Sequence, residues 1–265
     1  MEIDQFSRTR LLFGNETMSR FQASRIGIMG LGGVGSYVAE ALARSGIGRL
    51  LLVDFDVISE TNINRQLLAL HSTIGRQKTE VMKERIKDIN PDCEVEIFSG
   101  FCNKDSRDGL LPELDIVVDA IDSLVPKVGL LEDCWRQKIP VISILGAASR
   151  FDPSQIKLGD ISQTYMCPLA RRVRKYLGRR GIRKGIDVIY SIEQPIEQYP
   201  PEAGSQQDWH GDTGRMRGTL GSVVYMPAIM GMWAASWVLQ KLRGERIADR
   251  DQTIIEVQDN FGIEL

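Results

Sequence analysis

The stretch "IMGLGGVGSYVAEALARSGIG", residues 28–48, constrains the fold more than any other part of this chain. Gly30, Gly32 and Gly35 give the spacing G-x-G-x-x-G, with Gly33 inside it, directly after an apolar run and directly before a helical pattern. Without Cβ atoms the backbone there turns tightly and comes close to a phosphate, whose charge a helix N-terminus favours. The loop alone does not choose between nucleotides; a plain tight turn is the alternative, and the strand before it and helix after it favour nucleotide binding.

The rest of the chain gives the loop a context. Apolar β-rich runs "RIGIMG", "RLLLVD", "EVEIF", "LDIVVDA" and "PVISILGA" are separated by segments long enough for crossover helices. That alternation predicts an α/β fold: a Rossmann-like, doubly wound, mainly parallel sheet with helices on both faces. Residues 62–90 carry helical spacing that "NPD" stops, which fills the crossover between the second and third strands. Past Phe151, "QIKLGDIS" and "DVIYSIEQP" read as short strands around a strongly basic segment, and residues 198–221 read as a loop. The late run "TIIEVQD" can return to the sheet as a strand. We therefore expect one continuous domain over residues 1–265, with a nucleotide-binding core at 8–150 and a substrate-binding C-terminal extension at 151–265.

Residues 221–242 approach the length of a membrane span, yet Pro227, many small residues and a sheet in need of cover point to a buried helix. The N-terminus lacks the apolar core of a signal peptide, and the four cysteines form no CxxC pair, which implies the cytoplasm, no zinc ribbon and no membrane. His71 and His210 sit in no ligand cluster, and Cys167 reads as an incidental thiol. The balance of 33 basic and 35 acidic residues excludes a global pull on nucleic acid, so such a partner requires a local patch.

Asp54 ends the second strand at the distance where an acidic side chain meets ribose hydroxyls, and Asp56 follows it closely. Just beyond lie Asn62, Arg65 and Gln66, then Lys78 on the same crossover. A dinucleotide needs little added positive charge, whereas a triphosphate being cleaved needs cations where charge develops. "DIVVDAIDS" ends the fourth strand, which flanks the first across the switch point of such a sheet. Facing a polyphosphate, Asp122 is the better magnesium ligand, because it lies past the strand, while Asp119 caps or orients.

Taken together, "GLGGVG", "LLVDFD", "TNINRQ", "GRQKTEVMKERIKDINP" and "VVDAIDS", in this order, resemble the adenylating domain of the ubiquitin-activating superfamily, whose bacterial members include ThiF and MoeB. The resemblance implies ATP and Mg2+, with Asp54 on ribose, Asn62, Arg65, Gln66 and Lys78 around the phosphates, and Asp122 at the metal. It also implies a homodimer in which an N-terminal arginine reaches the neighbouring subunit's ATP; Arg10 is the match, ahead of Arg8. A monovalent cation, Na+ or K+, near the ATP belongs to the same implication.

Carrier-protein activators of this group generally hold zinc through two CxxC pairs, which this chain lacks. "GAASRFDPSQIKLGDIS", "CPLARRVRKYLGRRGI" and "YSIEQP" instead resemble the tRNA threonylcarbamoyladenosine dehydratase family. That resemblance implies ATP-dependent cyclising dehydration of a threonylcarbamoyl group on tRNA. The basic segment agrees: Arg171, Arg172, Arg174, Lys175, Arg179, Arg180, Arg183 and Lys184 concentrate charge with no acidic residue from Leu169 to Ile186, which suits a phosphate backbone. Some members carry a cysteine where Val188 and Ile189 stand here, which weighs against a sulfur-transfer partner protein. The competing readings are an activator of a ubiquitin-like sulfur carrier, an NAD oxidoreductase and a non-catalytic tRNA-binding module.

Overall fold

In the computed structural model, residues 3–199 and 220–244 are described; most of the expected loop at 198–221, the "TIIEVQD" run and His210 lie outside them. The strands are β1 (Arg25–Met29), β2 (Arg49–Val53), β3 (Glu94–Phe98), β4 (Ile116–Asp119), β5 (Val141–Ile144), β6 (Ile156–Asp160) and β7 (Asp187–Ser191). They form one sheet in the order β3-β2-β1-β4-β5-β7-β6, parallel throughout except for the β6–β7 pair. The expected Rossmann-like sheet is present, and the chain past Phe151 extends that same sheet.

Side chains of a strand alternate between faces, and both faces here are apolar. Ile26, Ile28, Leu50, Leu52 and Val118 pack beneath α1 (Ser7–Ala23), α2 (Gly35–Arg44), α3 (Lys78–Ile89) and α7 (Tyr225–Arg243). Met29, Leu51, Val53, Val117 and Val188 face α4 (Lys104–Leu110), α5 (Leu124–Gln137) and α6 (Pro168–Arg179). Thus α2, which follows β1, and α5, which follows β4, leave on opposite faces, and the crevice that such a sheet offers lies at the carboxyl ends of β1 and β4, over the point where their loops meet.

One sequence expectation changes in detail, and a second is met with shifted bounds. The run from Asn62 to Asn90 is helical only from Lys78; before it the chain makes two 3-10 turns (Glu60–Asn62 and His71–Thr73) and a left-handed Gly75 at φ 83°. Buried Asn62, Gln66 and Thr73 explain why, since their side chains sit inside this segment instead of along one helix face. The apolar stretch at 221–242 is the helix α7, and no helix among the described residues is long and apolar enough to cross a membrane. It lies close on α2 because Gly231 meets the backbone there: a Cβ would sit 2.7 Å from the Val34 carbonyl oxygen.

Beneath the crevice the ends of β4 and β5 are joined by a buried ion pair. Lys127, in the first turns of α5, donates to Asp119 Oδ2 at 2.6 Å, to Ser143 Oγ at 3.1 Å and to the Ile144 carbonyl at 2.9 Å. Both charged side chains are fully buried. Asp119 also accepts from the Ile121 N–H at 3.2 Å, so it orients the turn after β4 as expected, with Lys127 as the partner that the sequence did not disclose. Removing one member leaves an uncompensated buried charge. Lys127→Met should cost about 3–5 kcal/mol in urea unfolding, and adding Asp119→Asn should restore much of it. A Lys127→Met protein as stable as the unaltered chain would refute this role.

Candidate nucleotide site

The glycine loop is built by close approach of backbone to backbone. Gly30 has φ 97°, and a Cβ there would lie 2.8 Å from the Ala120 carbonyl oxygen, so the loops after β1 and β4 touch. A Cβ on Gly35 would fall 1.7 Å from the Gly30 carbonyl oxygen, a contact the turn into α2 cannot tolerate. Gly32 differs: a Cβ would meet nothing nearer than Gln66 Nε2 at 3.9 Å. The missing side chain at Gly32 leaves space on the crevice side, and Gly33 lies against the Arg65 backbone and Pro227.

Asp54 holds this loop in place. Its Oδ2 accepts the Leu31 N–H at 2.6 Å and its Oδ1 the Asp56 N–H at 2.8 Å. Burial pushes its carboxyl above the ordinary aspartate range, while nearby Lys78 and the two N–H donors favour the ionised form. Lys78 opens α3, where the helix dipole disfavours a cation, and it is only 4% exposed. Its ammonium bonds Asp56 Oδ2 at 2.8 Å, which compensates that cost and fixes the positive charge beside Asp54.

The 3-10 segment adds polar groups to the same rim. Asn62 is buried, with Oδ1 accepting the Ser59 N–H at 3.3 Å. Arg65 Nη1 donates to the Thr61 carbonyl at 2.8 Å and Asn64 Oδ1 at 2.9 Å. Gln66 is buried, and its Oε1 has no hydrogen-bond partner. A buried amide oxygen left unmade is costly, so this one marks a place shaped for a polar ligand. Asn64 ties the rim to the start of α7 through the Ser222 carbonyl at 3.1 Å, a contact no local pattern announces.

Asp122 is exposed in the turn between β4 and α5, accepting from Ser123 Oγ at 3.1 Å. Asp119 is committed to Lys127 inside the sheet, whereas Asp122 lies past the strand end and is exposed. Arg10 lies apart from this group: it pairs with Asp4 at 2.6 Å on the N-terminal half of α1, which kinks at Gly14.

The basic segment forms α6, with Ala170, Val173 and Leu177 turned inward. Arg171, Arg172, Lys175, Arg179 and Arg183 are exposed, as the phosphate-backbone reading needs. Arg174 instead bonds the Thr164 carbonyl and hydroxyl, and Arg180 pairs with Glu132 at 2.7 Å, so these two also hold the fold. The start of α6 adjoins the loop after β5: a Cβ on Gly146 would be 3.9 Å from both Cys167 Sγ and Leu169 Cβ.

Known proteins share this arrangement. The tRNA threonylcarbamoyladenosine dehydratase of Bacillus subtilis is 40% identical over 91% of this chain and 95% of its own length. That of Haemophilus influenzae is 41% identical over 87% of this chain and 90% of its own. Among solved structures, the E. coli tRNA N6-threonylcarbamoyladenosine dehydratase TcdA in complex with ATP superposes with a TM-score of 0.78 at 34% identity, covering 91% of this chain and 94% of that one. Its complex with AMP gives 0.79. The ThiF family model matches residues 6–260, and the chain belongs to the ThiF family.

Proposed function

We propose that this protein catalyses the ATP-dependent cyclising dehydration of the threonylcarbamoyl group of N6-threonylcarbamoyladenosine in tRNA. One observation carries the reading: an open glycine loop with an unpartnered Gln66 oxygen lies at one end of the crevice, and an arginine-covered helix begins beside the loop that follows β5. ATP accounts for the first and tRNA for the second; the B. subtilis relative is named as a tRNA dehydratase and the E. coli TcdA structure is a complex with ATP, and together they support the pairing.

In this reading the substrate's carboxylate attacks the α-phosphorus of ATP, pyrophosphate leaves, and an acyl-adenylate results. An atom of the same threonylcarbamoyl group then attacks the activated carbonyl and expels AMP, closing the ring. Asp54 accepts from the ribose hydroxyls, with Asp56 holding Lys78 in place. Asn62, Arg65, Gln66 and Lys78 surround the phosphates and stabilise charge as it develops. Gly30, Gly32, Gly33 and Gly35 let the backbone approach. Asp122 would hold magnesium, which would neutralise charge on the phosphate oxygens. No covalent enzyme intermediate is needed; positioning and charge stabilisation suffice.

Arg171, Arg172, Lys175, Arg179 and Arg183 contact the tRNA backbone, with Arg174 and Arg180 shaping that surface. A homodimer is part of the proposal: Leu11 and Leu12, beside Arg10, are 82% and 73% exposed, an apolar surface that a second copy would cover. Arg10 would then exchange Asp4 for the neighbouring subunit's ATP. The reaction belongs in the cytoplasm, and the four free, buried cysteines suit that reducing compartment.

Incubation with ATP, magnesium and threonylcarbamoylated tRNA, followed by digestion and mass measurement, should yield a nucleoside lighter by one water, with AMP released. Arg65→Ala should slow this about 100-fold. An unchanged nucleoside from protein that exchanges ATP with pyrophosphate only when given a small Gly-Gly-ending carrier would overturn the reading.

The two kinds of glycine also separate. Gly32→Ala should leave thermal stability nearly unchanged and abolish ATP binding by calorimetry, because its methyl enters open crevice. Gly35→Ala should lower stability as well, because its methyl meets the Gly30 carbonyl. Equal effects on folding from both variants would contradict the assignment.

A further inference from the structure

At the opposite end of the sheet, beneath the amino ends of β5 and β7, lies a cleft of about 440 Å³. It stands one strand length from the nucleotide crevice, roughly 15 Å away. Trp135, at the end of α5, is 41% exposed and forms one side. Trp237 and Lys241 of α7 form the other, with the Lys241 ammonium 5.7 Å from the indole centroid. Arg136 and Lys138 supply positive charge at the same cleft. Asp187, at the start of β7, lines it too, and its Oδ2 accepts from the Trp237 indole N–H at 3.1 Å.

This combination does not suit a phosphate, because a carboxylate within the cleft repels one. Nor does it suit a purely apolar side chain: Ile139, Pro140 and Val141 line it, yet three cations and a carboxylate stand among them. An aromatic heterocycle with an amino group satisfies every part: a face for stacking, donors for Asp187, and flanking phosphates for Arg136 and Lys138. The cleft is also continuous with α6. The Trp135 indole N–H donates to the Lys184 carbonyl at 3.2 Å, and Arg136 and Arg180 share Glu132 at 2.9 and 2.7 Å.

We infer that this cleft binds an unpaired nucleobase of the tRNA, stacked on Trp135, its amino group donating to Asp187. The inference rests on the tRNA-modifying function proposed above and gives it a second base-binding site, remote from the reacting nucleoside. Its use is register: a second fixed base, with the backbone along α6 between, sets which nucleotide reaches the crevice.

The test is anisotropy of a fluorescein-labelled anticodon stem-loop RNA and of a duplex of its stem, using full-length protein. Trp135→Ala should weaken stem-loop binding about tenfold while leaving duplex binding and ATP affinity unchanged. Trp135→Phe, which keeps a stacking face, should stay within a few-fold of the unaltered protein. If Trp135→Ala binds the stem-loop normally while Arg171→Ala/Arg172→Ala does not, the cleft is no base site and the tRNA reading stands. If Trp135→Phe loses as much as Trp135→Ala, the residue acts through folding and the inference fails. Unaltered protein that ignores both RNAs overturns the inference together with the function beneath it.

Discussion

The carboxylate of Asp54 is the group on which the nucleotide site depends. Strand β2 delivers it to the carboxyl edge of the sheet, where one oxygen takes the Leu31 N–H of the glycine loop and the other turns the chain back at Asp56. That turn presents Asp56 to Lys78, and the pair anchors the start of α3. A loop otherwise free to open is thereby fixed against β2 before any ligand arrives. Charge stabilisation works best when the dipoles need not reorganise, and this is how the chain arranges it.

The crevice is divided between charges that hold and charges that face outward. Asp119 and Lys127 neutralise one another in the sheet's interior and tie β4 to β5. Asp122, three residues further on, stays exposed. On α6 and just past its end the same division appears: Arg174 and Arg180 are taken up by Thr164 and Glu132, while their neighbours are exposed. A near-neutral chain thus presents a strongly basic surface on one side because no acidic residue falls between Leu169 and Ile186.

The sequence made the inner sheet legible because both of its faces are covered, so β1, β2, β4 and β5 read as continuous apolar runs between turn signals, while the edge strands β3 and β6 carry polar residues on an exposed side. It made Asp54, Lys78 and Asp122 legible because each sits at a strand or helix end, where spacing carries meaning. It did not disclose Lys127 or Ser143: a lysine on an early helix turn looks like a solvated charge until β5 is seen beside β4. The false helix between Asn62 and Lys78 has a similar cause. Its apolar spacing is real, but the buried Thr73 hydroxyl accepts from the Leu70 N–H and donates to the Leu68 carbonyl, backbone groups that a helix would use. The contact of Asn64 with Ser222 joins residues 158 apart and has no local signal at all.

In the proposed reaction one oxygen of the substrate carboxylate departs as part of AMP. Oxygen-18 placed in the threonylcarbamoyl carboxylate of the tRNA follows that bond directly. Adenylation followed by ring closure predicts one labelled oxygen in each AMP released, and none in pyrophosphate. Label appearing in pyrophosphate, in inorganic phosphate or in water while AMP stays unlabelled would contradict the account.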